Sequence, residues 1–570
     1  MANRAVQHNK RSLKQVLGEL PLAAEMYWQL RQGGGPPLKS FSLHRIQKWL
    51  PTIRAQAEAA VHQDIHGREH PSKRIVIFTT LRYWIEHAVV MGLALAGQGH
   101  QVTLLYLPFP QWKRPYSLFD QRRLNAYARK TLAGAGPLLH TISLLDLPQA
   151  AQEQLPPALV KMIEEVSLRD AQYTLQVEQV ETDGDLPSAD LYYLRLERNL
   201  LAARAFTHWV QSLQQQRPEV LLTPNGSILE MGAIYQAANH LGIPTVTYEF
   251  GEQRGRIWLA QQSEVMLQET GALWAAWKDT PLSEAQWQQI RALYASRQNA
   301  SLWENFARLW QGQPSQGGAQ VRQALGLDQR PVAVLPANVI GDSLTLGRQV
   351  FSENMTEWLQ RTVQSFVNKE QVQLVVRIHP GERYTTGPSV AEVVRNVLPE
   401  LPPHIHLVQA GDPINTYDLI EIADLGLVYT TTVGMEMCMS GVPVIAAGKT
   451  HYRGKGFTLD PGTWDQYFHM VEQFLDDPQA HRLSRPQVEQ AWHYAYRFFF
   501  DYPCPFPWHL LDYWKELETW PMSRVLSAEG QALYGSTFQY LIGEPRKAEP
   551  MAEQEIPLGA ESPEDPFEAA

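Results

Sequence analysis

The chain has 570 residues, of which 44% are hydrophobic and 19% charged, and this length allows two or three domains with large apolar cores. The net charge of −10 leaves no basic excess, so a nucleic-acid partner is not expected. Two cysteines cannot form a disulfide framework, which indicates a reduced, cytoplasmic compartment. Neither a signal peptide nor an apolar run of about 18 residues is present, so we expect no membrane span.

Residues 1–70 are predicted to form a helical N-terminal arm, divided by a Gly-Gly-Gly-Pro-Pro break at positions 33–37. The segment after the break, residues 38–50 (LKSFSLHRIQKWL), has an apolar face and three basic residues. Two roles fit this pattern. The helix could lie on the inner membrane face as a peripheral anchor, or its apolar face could pack against the body of the protein, which is the commoner arrangement.

An N-terminal Rossmann-like domain is predicted for residues 71–260. It begins with the buried strand RIVIFTT, an apolar helix and the strand QVTLLYLP, which together form a βαβ unit. No G-x-G-x-x-G follows the first strand, so a dinucleotide site is not expected there. His87, early in the helix, fits a packed or capping histidine better than an acceptor contact. Glu249 and Glu252 follow the last strong strand, IPTVTYE, and are expected at the carboxyl edge of the sheet.

Residues 261–330 are predicted to be a helical linker. Its tryptophans are typical of inter-domain packing rather than of a ligand site; they are Trp274, Trp277, Trp287, Trp303 and Trp310. At the other end of the chain, residues 481–535 are predicted to be helices that cross back to the N-terminal domain. Residues 536–570 are predicted to be a disordered acidic tail, because positions 544–570 hold eight acidic and two basic residues.

A second Rossmann-like domain is predicted for residues 331–480. Its first strand, PVAVLP, ends near Asn338, and Asp342 follows in the next loop, where it could contact a substrate or cap a helix. A later strand, VPVIAAG, is followed by a loop that contains Arg453 and Lys455. These residues could meet a negatively charged ligand, and a solvated basic loop explains them equally well.

The stretch from Gln371 to Gly448 holds the strongest signal for a binding site. A buried strand that includes Arg377 ends at His379-Pro380, and a second strand ends at a threonine run before a helix. Free N–H groups and the dipole at a helix N-terminus favour an anion, and threonine hydroxyls add donors. Either feature alone is commonly only turn or cap chemistry. Together, on consecutive βα connections, they predict a nucleotide-phosphate site.

These motifs resemble those of bacterial glycosyltransferases that use CMP-activated sugars, which have an "HP" motif and an "S/T-S/T-V" motif. The matching residues here are His379-Pro380 and Thr431-Thr432-Val433. The wider run over about residues 331–460 resembles the capsule polysaccharide biosynthesis family, which includes the Kdo transferases. The resemblance implies a GT-B fold, in which two Rossmann-like domains face a cleft, with the donor nucleotide on the C-terminal domain and no metal ion.

The resemblance, together with the positions of polar residues at strand ends, predicts roles for individual residues. The predicted catalytic residues are Glu249, Glu252, Asp342 and His379; the predicted nucleotide-binding residues are Arg377, His379, Pro380, Thr430, Thr431, Thr432, Val433 and Glu436; the predicted donor-contacting residues are Asn338, Arg453 and Lys455. Glu436 could accept hydrogen bonds from a ribose, or it could equally be an ordinary carboxylate on the face of the helix. Glu249-Phe250-Gly251 departs from the acid-acid-Gly form that is commoner in such transferases, which leaves open which acidic residue reacts.

The function expected on this basis is transfer of an acidic sugar such as Kdo, without a cofactor or metal, from a CMP-linked donor to a glycan or glycolipid acceptor in surface polysaccharide synthesis. Two alternatives stay open. A sugar-nucleotide epimerase or a CDP-glycerol-type phosphotransferase also has an "HP" motif before a Ser/Thr-rich or Ser-Gly-Gly helix start. A catalytically silent scaffold could keep the same fold in capsule assembly. Donor turnover separates the scaffold from the enzymes.

Overall fold

The computed structural model describes residues 13–63, 71–147, 154–303, 306 and 311–546. Trp310 and the acidic residues beyond 546 lie outside these ranges. The described residues form two β-sheets, of seven and five strands, with helices packed on them. This α/β architecture confirms the predicted class of two Rossmann-like domains. No helix within the described ranges has both the length and the apolar character of a membrane span.

The N-terminal half contains six strands and eight α-helices within those ranges. They are α1 (Leu13–Glu19), α2 (Ala23–Gln32), α3 (His44–Gln63), β1 (Arg74–Thr80), α4 (Arg82–Gly97), β2 (Gln101–Leu107), α5 (Leu118–Leu132), β3 (Leu139–Ser143), α6 (Pro157–Leu175), α7 (Pro187–Ser212), β4 (Val220–Pro224), α8 (Leu229–His240), β5 (Thr245–Glu249) and β6 (Arg256–Gln261).

The linker, the C-terminal domain and the returning segment follow. Their elements are α9 (Gly271–Trp277), α10 (Glu284–Gln298), α11 (Gly318–Leu325), β7 (Val332–Pro336), α12 (Met355–Ser365), β8 (Gln373–Arg377), α13 (Val390–Val397), β9 (Ile405–Val408), α14 (Thr416–Ile422), β10 (Leu425–Val428), α15 (Val433–Met439), β11 (Val444–Ala446), α16 (Trp464–Asp476), α17 (Arg485–Tyr496), β12 (Cys504–Pro505), α18 (Tyr513–Thr519), α19 (Met522–Val525) and α20 (Ala528–Leu541).

Both sheets are doubly wound. The N-terminal sheet has the order β12-β6-β5-β4-β1-β2-β3, in which β1 to β5 are parallel, and the C-terminal sheet has the parallel order β11-β10-β7-β8-β9. The strand order reverses between β1 and β4 in the first sheet and between β7 and β10 in the second. Ligands of open α/β sheets bind outside the carboxyl ends of the strands at such reversals.

After α17 the chain returns to the N-terminal domain. The short strand β12 pairs antiparallel with β6 and so becomes the edge of the first sheet. Aromatic side chains of the linker pack against α17: Trp274 meets Tyr494 with ring centroids 5.4 Å apart, and Trp287 meets Trp492 at 6.4 Å. These two tryptophans are therefore packing residues, and their partners lie on α17. The tail predicted from residue 536 starts too early, because α20 continues to Leu541.

The membrane-anchor alternative for residues 38–50 is wrong. Ile46, Leu50 and Ile53 on α3 are buried in the core of the N-terminal domain, and Phe41 before the helix is buried too. The Arg45 guanidinium stacks 3.6 Å above the ring of Trp514. The apolar face of this helix therefore packs against the body, which was the other alternative. His87 is likewise a packed histidine: it is buried and shares a hydrogen bond of 2.9 Å with the Trp508 carbonyl.

The segment after α6 joins the two domains. Both carboxylate oxygens of Glu178 accept hydrogen bonds from the first two N–H groups of α12, at 2.8 Å from Met355 and 2.7 Å from Thr356. Gln176 accepts a hydrogen bond from the backbone N–H of Thr386 at 2.8 Å. A residue of the N-terminal domain thus caps a helix of the C-terminal domain, which fixes the spacing of the cleft between them.

Candidate active site

Glu249 ends β5 at the carboxyl edge of the N-terminal sheet. Its carboxylate accepts a hydrogen bond from the Phe250 N–H at 3.0 Å and one from the side-chain amide of Asn225, directly after β4, at 3.4 Å. Part of the residue is open to solvent, but protein surrounds its carboxylate. This burial raises the pKa of Glu249 to about 7, although both hydrogen bonds favour the ionised form.

Two tyrosines lie close to this carboxylate. Burial, and after it the charge of Glu249, raises the pKa of Tyr83 to about 12. Burial also raises the pKa of Tyr173, near the end of α6, and the next contributions come from the charges of Asp342 and Glu249. Asp342 belongs to the C-terminal domain. The predicted catalytic carboxylates of the two domains are therefore both within electrostatic reach of one phenol.

The loop that carries Asp342 is held against the N-terminal domain. Gly341 has a φ of 70°, and a Cβ at this position would lie 2.4 Å from the carbonyl carbon of Gln176. Only glycine fits such a close approach of two backbones. Asp342 accepts a hydrogen bond from the Ser343 N–H at 2.8 Å, and its own carbonyl accepts one from Thr345 at 2.9 Å, so the loop has a defined local turn.

Asn338 and Thr430 meet at the strand reversal of the C-terminal sheet. The Asn338 side chain accepts a hydrogen bond from the Thr430 N–H at 3.2 Å, which joins the loops after β7 and β10. Among the described residues, the buried Thr430 hydroxyl has no hydrogen-bond partner. A ligand at this edge would satisfy that polar group, whose isolation otherwise costs about 1–3 kcal/mol.

His379 follows β8 on the same edge, and Pro380 begins a 3-10 turn over Pro380–Tyr384. The Nδ1 atom of His379 accepts a hydrogen bond from the Gly381 N–H at 3.0 Å. An N–H group can only donate, so in the neutral ring the proton is on Nε2. The His-Pro turn thus orients the imidazole with Nε2–H as a donor.

The threonine run leads into α15, which starts at Val433 and is only seven residues long. The Val433 N–H donates to the Thr431 hydroxyl at 3.4 Å, and Thr432 is the N-cap without a side-chain cap bond. The carbonyl of Thr431 accepts a hydrogen bond from Tyr452 at 2.6 Å. A helix of this length has a weak dipole, so anion affinity here depends more on the individual N–H and hydroxyl donors.

The contacts of Glu436 do not support the predicted ribose contact and agree with the alternative of a carboxylate on the helix face. Its buried carboxylate forms an ion pair with Arg297 of the linker, with Nη1 and Oε1 2.5 Å apart, and accepts a hydrogen bond from Tyr417 at 3.0 Å. Glu252 also adds to the negative charge around Arg297. Both glutamates are therefore associated with the linker, and Glu436 has a structural role.

Two of the arginines predicted to bind ligand donate their hydrogen bonds to backbone carbonyls instead. Arg377 is buried and donates to the carbonyls of Gln409 and Ile414, which fixes the loop between β9 and α14. Arg453 donates to the carbonyls of Ala446 and Pro461. The direct nucleotide contact predicted for Arg377 is not supported, because this arginine holds its own domain together.

A cavity of about 740 Å³ lies between the linker, β6 and the loop after β11. Its acidic lining residues are Glu269 and Asp501, and its basic ones are Arg348, Lys449, Arg453, Lys455 and Arg546. The guanidinium groups of Arg348 and Arg546 donate to backbone carbonyls, which carry no net charge to neutralise them. Burial lowers the pKa of Lys455. We call this space the basic cavity; its excess of positive charge suits an anionic ligand.

The basic cavity is connected to the predicted site residues. Its loop begins beside the threonine run, because a Cβ at Gly448 would lie 3.0 Å from the methyl group of Thr430. On the other side, a narrow gap of about 30 Å³ is lined by Tyr173, Gly347 and Arg348, and the last two also line the basic cavity. Tyr173 thus lines a gap next to this cavity and is also within electrostatic reach of the two carboxylates.

Sequence reasoning missed Asn225 and Tyr173. Asn225 left a signal, an Asn-Gly turn directly after the strand PEVLLTP. Tyr173 lies in a long helical region without a motif. Among the described residues, no group of three or more His, Cys, Asp and Glu side chains is placed to hold a metal ion.

Comparison with known proteins gives a match to one family. Residues 299–485 match the family model described as "Capsule polysaccharide biosynthesis protein", which covers the end of the linker and most of the C-terminal domain. The matched residues include His379-Pro380 and Thr431-Thr432-Val433, the motifs that carry the resemblance to this family. A search of curated proteins found no match.

Several solved structures are similar at low identity. Two are of Thermosulfurimonas dismutans KpsC, described as a beta Kdo 2,7 transferase and a beta Kdo 2,4 transferase. Each is 14% identical, with TM-scores of 0.30 and 0.29; they cover 55% and 48% of this chain and 88% and 79% of theirs. Anabaena HepE, solved with UDP and glucose, is 11% identical with a TM-score of 0.26, over 78% of this chain and 98% of its own.

Proposed function

We propose that this chain, whose residues 299–485 match the capsule polysaccharide biosynthesis family, is a glycosyltransferase that transfers an acidic sugar such as Kdo from a CMP-linked donor to a glycan or glycolipid acceptor. The observation that supports it most is the cleft itself. A carboxylate with a raised pKa, Glu249, ends a strand of one domain, and the polar side chains of Asn338, His379 and Thr430 follow strands of the other. Tyr173 lies within reach of both domains.

The C-terminal edge is proposed to stabilise the leaving nucleotide. Negative charge grows on its phosphate as the glycosidic bond breaks, and fixed donors stabilise this charge without reorganising. The Nε2–H of His379 and the unpartnered hydroxyl of Thr430 are such donors. Thr431, Thr432 and the N–H groups at the start of α15 complete the proposed phosphate site, and no metal ion has a part in this proposal.

Glu249 is proposed to act on the acceptor. A general base works best when its pKa is near the working pH, and the burial that raises the pKa of Glu249 to about 7 produces this match. The hydrogen bond from Asn225 orients the carboxylate. Asp342, on the opposite wall, is proposed to contact the sugar that is transferred.

The basic cavity is proposed to bind the negative charge that an acidic donor sugar brings. Its loop starts beside Thr430 and is tied to Thr431 by the Tyr452 hydroxyl, so a donor held at the threonine run lies next to it. Lys455 is the proposed direct contact. Arg453 supports the loop through its two carbonyl bonds. The proposed setting is the cytoplasm, at the inner membrane face where surface polysaccharides are assembled.

A nucleotide panel tests this function. The melting temperature is measured with CMP, CDP, UDP and GDP, and a ligand at about 100 times its Kd adds ~2.7 kcal/mol of stability. We expect CMP to give the largest shift and a CMP-activated acidic sugar to be consumed when an acceptor is added. A shift with UDP and none with CMP would refute the proposed donor. Binding of CMP without any turnover across donors and acceptors would favour the silent scaffold.

A further inference from the structure

A buried ion cluster joins three helices of the N-terminal domain. Arg195 of α7 pairs with Asp170 of α6 at 3.1 Å and with Glu230 of α8 at 3.0 Å. We call these three residues the ion cluster; their side chains are at most 2% exposed. Asn199 of α7 donates a further hydrogen bond to Asp170 at 2.9 Å. The ion cluster therefore fixes α6, α7 and α8 relative to one another.

Stability alone does not explain the ion cluster. Burial of two carboxylates and one guanidinium has a large desolvation cost, which the ion pairs only partly offset. Apolar side chains of the same volume are often as stable in such a place, or more stable. Ions, however, make directional contacts that apolar side chains cannot make. One of these contacts leads out of the cluster to the backbone beside the candidate active site.

That contact joins Asp170 to the loop between β4 and α8. Its Oδ2 atom accepts the hydrogen bonds from Arg195 and Asn199, and its Oδ1 atom accepts one from the backbone N–H of Leu229. Leu229 is the first residue of α8 and has a φ of 57°. A leucine adopts this left-handed conformation only at a cost in free energy, so the loop depends on a partner that holds it there.

The same loop positions the amide of Asn225. Asn225 has a φ of 59° and Gly226 has one of 81°, so three of the five residues 225–229 are left-handed. The Asn225 Oδ1 atom accepts hydrogen bonds from the backbone N–H and the hydroxyl of Ser227, at 3.1 and 2.5 Å. These two bonds orient the amide so that its Nδ2 atom donates to Glu249, at 3.4 Å. A change in the loop conformation would move this donor away from the carboxylate.

We propose that Asp170 is a positioning residue of the active site, which holds the strained loop in the conformation in which Asn225 reaches Glu249. Asp170 is fully buried, so it acts through the loop and not on a substrate. It also lies three residues before Tyr173 on α6, and the ion cluster thus fixes the helix that carries this phenol. The inference rests on the proposed function for the role of Glu249, but the effect on the Glu249 carboxylate is measurable without turnover.

Asp170→Asn tests the inference. Both oxygens of Asp170 accept hydrogen bonds, so one donor meets the NH2 group of the variant whichever way its amide is oriented. The loop is then released, and Glu249 loses a hydrogen bond that favours its ionised form. We expect Glu249 to become a weaker acid by about three- to tenfold. The measurement is an NMR titration of protein with isotopically labelled glutamate carboxyl carbons, in which Glu249→Gln identifies the signal of Glu249.

A second variant shows whether the effect runs through Asn225. Asn225→Gly removes the amide and keeps the left-handed backbone, which glycine adopts freely. It should weaken Glu249 as an acid to a similar extent, and Asp170→Asn added to it should have no further effect. The matched control is Ser167→Ala, a buried change beside the ion cluster. It removes a hydrogen bond of 3.0 Å from Asn199 and none of the contacts of Asp170, so it should leave the titration of Glu249 unchanged.

Turnover gives an independent measurement. Asp170→Asn should lower kcat by about tenfold or more and move the rise of kcat/KM to higher pH. The KM for the donor should stay unchanged, because the proposed donor site belongs to the other domain. Absence of transfer by the unaltered protein, together with the expected titrations, would refute the proposed function and support the positioning role.

Three results would overturn the inference: an unchanged titration of Glu249 in folded Asp170→Asn, an equal change in Ser167→Ala, or a further change when Asp170→Asn is added to Asn225→Gly. Circular dichroism and melting curves verify that each variant folds. If Asp170→Asn does not fold, Arg195→Lys replaces it, because one ammonium group keeps the charge but cannot hold both carboxylates as the guanidinium does. Arg195→Lys should weaken Glu249 as an acid too, and an unchanged titration would again overturn the inference.

Discussion

Tyr173 of the N-terminal domain and Asp342 of the C-terminal domain are electrostatically coupled across the cleft. Burial is the largest contribution that raises the pKa of Tyr173. The charge of Asp342 is the second, and the charge of Glu249 is the third. The loop of Asp342 is pressed against Gln176, three residues further along the chain from this tyrosine. A substrate bound between the sheets would therefore contact groups of both domains at once, as transfer between two bound partners requires.

His379→Ala should leave the fold intact and reduce turnover by about a hundred- to a thousand-fold, because one fixed donor to the leaving phosphate is worth ~2.7–4 kcal/mol. It should also reduce the stabilisation by CMP. His469, exposed on α16, provides the matched control His469→Ala, which should change neither. Unchanged turnover in the folded His379 variant would remove this residue from the site.

Lys455→Ala should raise the KM for the donor more than the KM for the acceptor, since this lysine lines the basic cavity. The effect should weaken at higher salt because the lysine is only half-buried. Lys161→Ala, on the exposed face of α6, is the matched control. Arg453→Ala should instead lower the melting temperature, because it removes hydrogen bonds to two carbonyls. Equal changes in both KM values for Lys455→Ala would contradict a donor contact.

Glu178→Gln should weaken the contact between the domains. The carboxylate caps α12 with two hydrogen bonds and a favourable charge, so we expect a loss of about 1–2 kcal/mol in urea unfolding. Glu181→Gln, in the same segment but exposed, should have no effect. An unchanged free energy of unfolding for Glu178→Gln would show that the cap does not hold the domains together.

Two truncations separate the acidic tail from the folded body. Deletion of residues 547–570 should leave melting and turnover unchanged, as the composition predicts. The sequence also predicts no effect for deletion from Glu544, and there the structure differs. The Glu544 carboxylate pairs with Lys73 at 2.5 Å, and its carbonyl accepts a hydrogen bond from Gln261 at 2.6 Å. Deletion from Glu544 should therefore cost about 1–3 kcal/mol. Identical melting curves for the two truncations would contradict this.

The sequence predicts those parts of the fold and site that depend on local pattern. Strands ending in turns placed Asn338, His379 and Thr430 at the carboxyl edge of a parallel sheet, where the structure has them. The same pattern predicts Glu249 at the end of a strand, and the structure has it at the end of β5.

What the sequence does not predict depends on contacts between distant segments. The α15 face that carries Glu436 is covered by Arg297 of the linker, 139 residues away in the chain, and no local pattern reveals this. The structural role of Arg377 is not visible in the local sequence for the same reason, because the carbonyls that accept its hydrogen bonds belong to a later loop. Tyr173 becomes part of the site only through the way in which the domains pack.

The raised pKa of Glu249 makes a prediction about stability. The folded-state pKa of about 7 lies above the ordinary value of 4.5, so the folded protein binds this proton more tightly than the unfolded chain does. Ionised Glu249 therefore destabilises the fold, increasingly as the pH rises from 4.5 to 7 and fully above that range. Glu249→Gln should raise the melting temperature in mildly alkaline buffer and leave it nearly unchanged in acidic buffer near the ordinary value. If Glu249→Gln raised the melting temperature equally in alkaline and in acidic buffer, desolvation of the Glu249 charge would not be the cause of the stabilisation.

The same variant tests the chemical role of Glu249. A general base contributes about a hundred- to ten-thousand-fold to the rate, so Glu249→Gln should abolish transfer while CMP binding on the opposite domain stays unchanged. In the unaltered enzyme, kcat/KM should rise with pH up to about 7, as the carboxylate ionises, and then level off. Glu252→Gln should keep its activity, because Glu252 adds its charge to the surroundings of Arg297 in the linker.

Asp342→Asn completes the comparison of the acidic residues. An active Glu249→Gln with an inactive Asp342→Asn would move the reacting carboxylate to the C-terminal domain, and activity in all three variants would contradict an enzymatic role for this cleft. Intact-protein mass spectrometry after mixing with donor then distinguishes the two mechanisms. A sugar adduct on Glu249 would mean that the carboxylate attacks the donor itself and that the anomeric configuration is retained. Without an adduct, Glu249 removes the proton of the acceptor hydroxyl, which attacks directly and inverts the configuration.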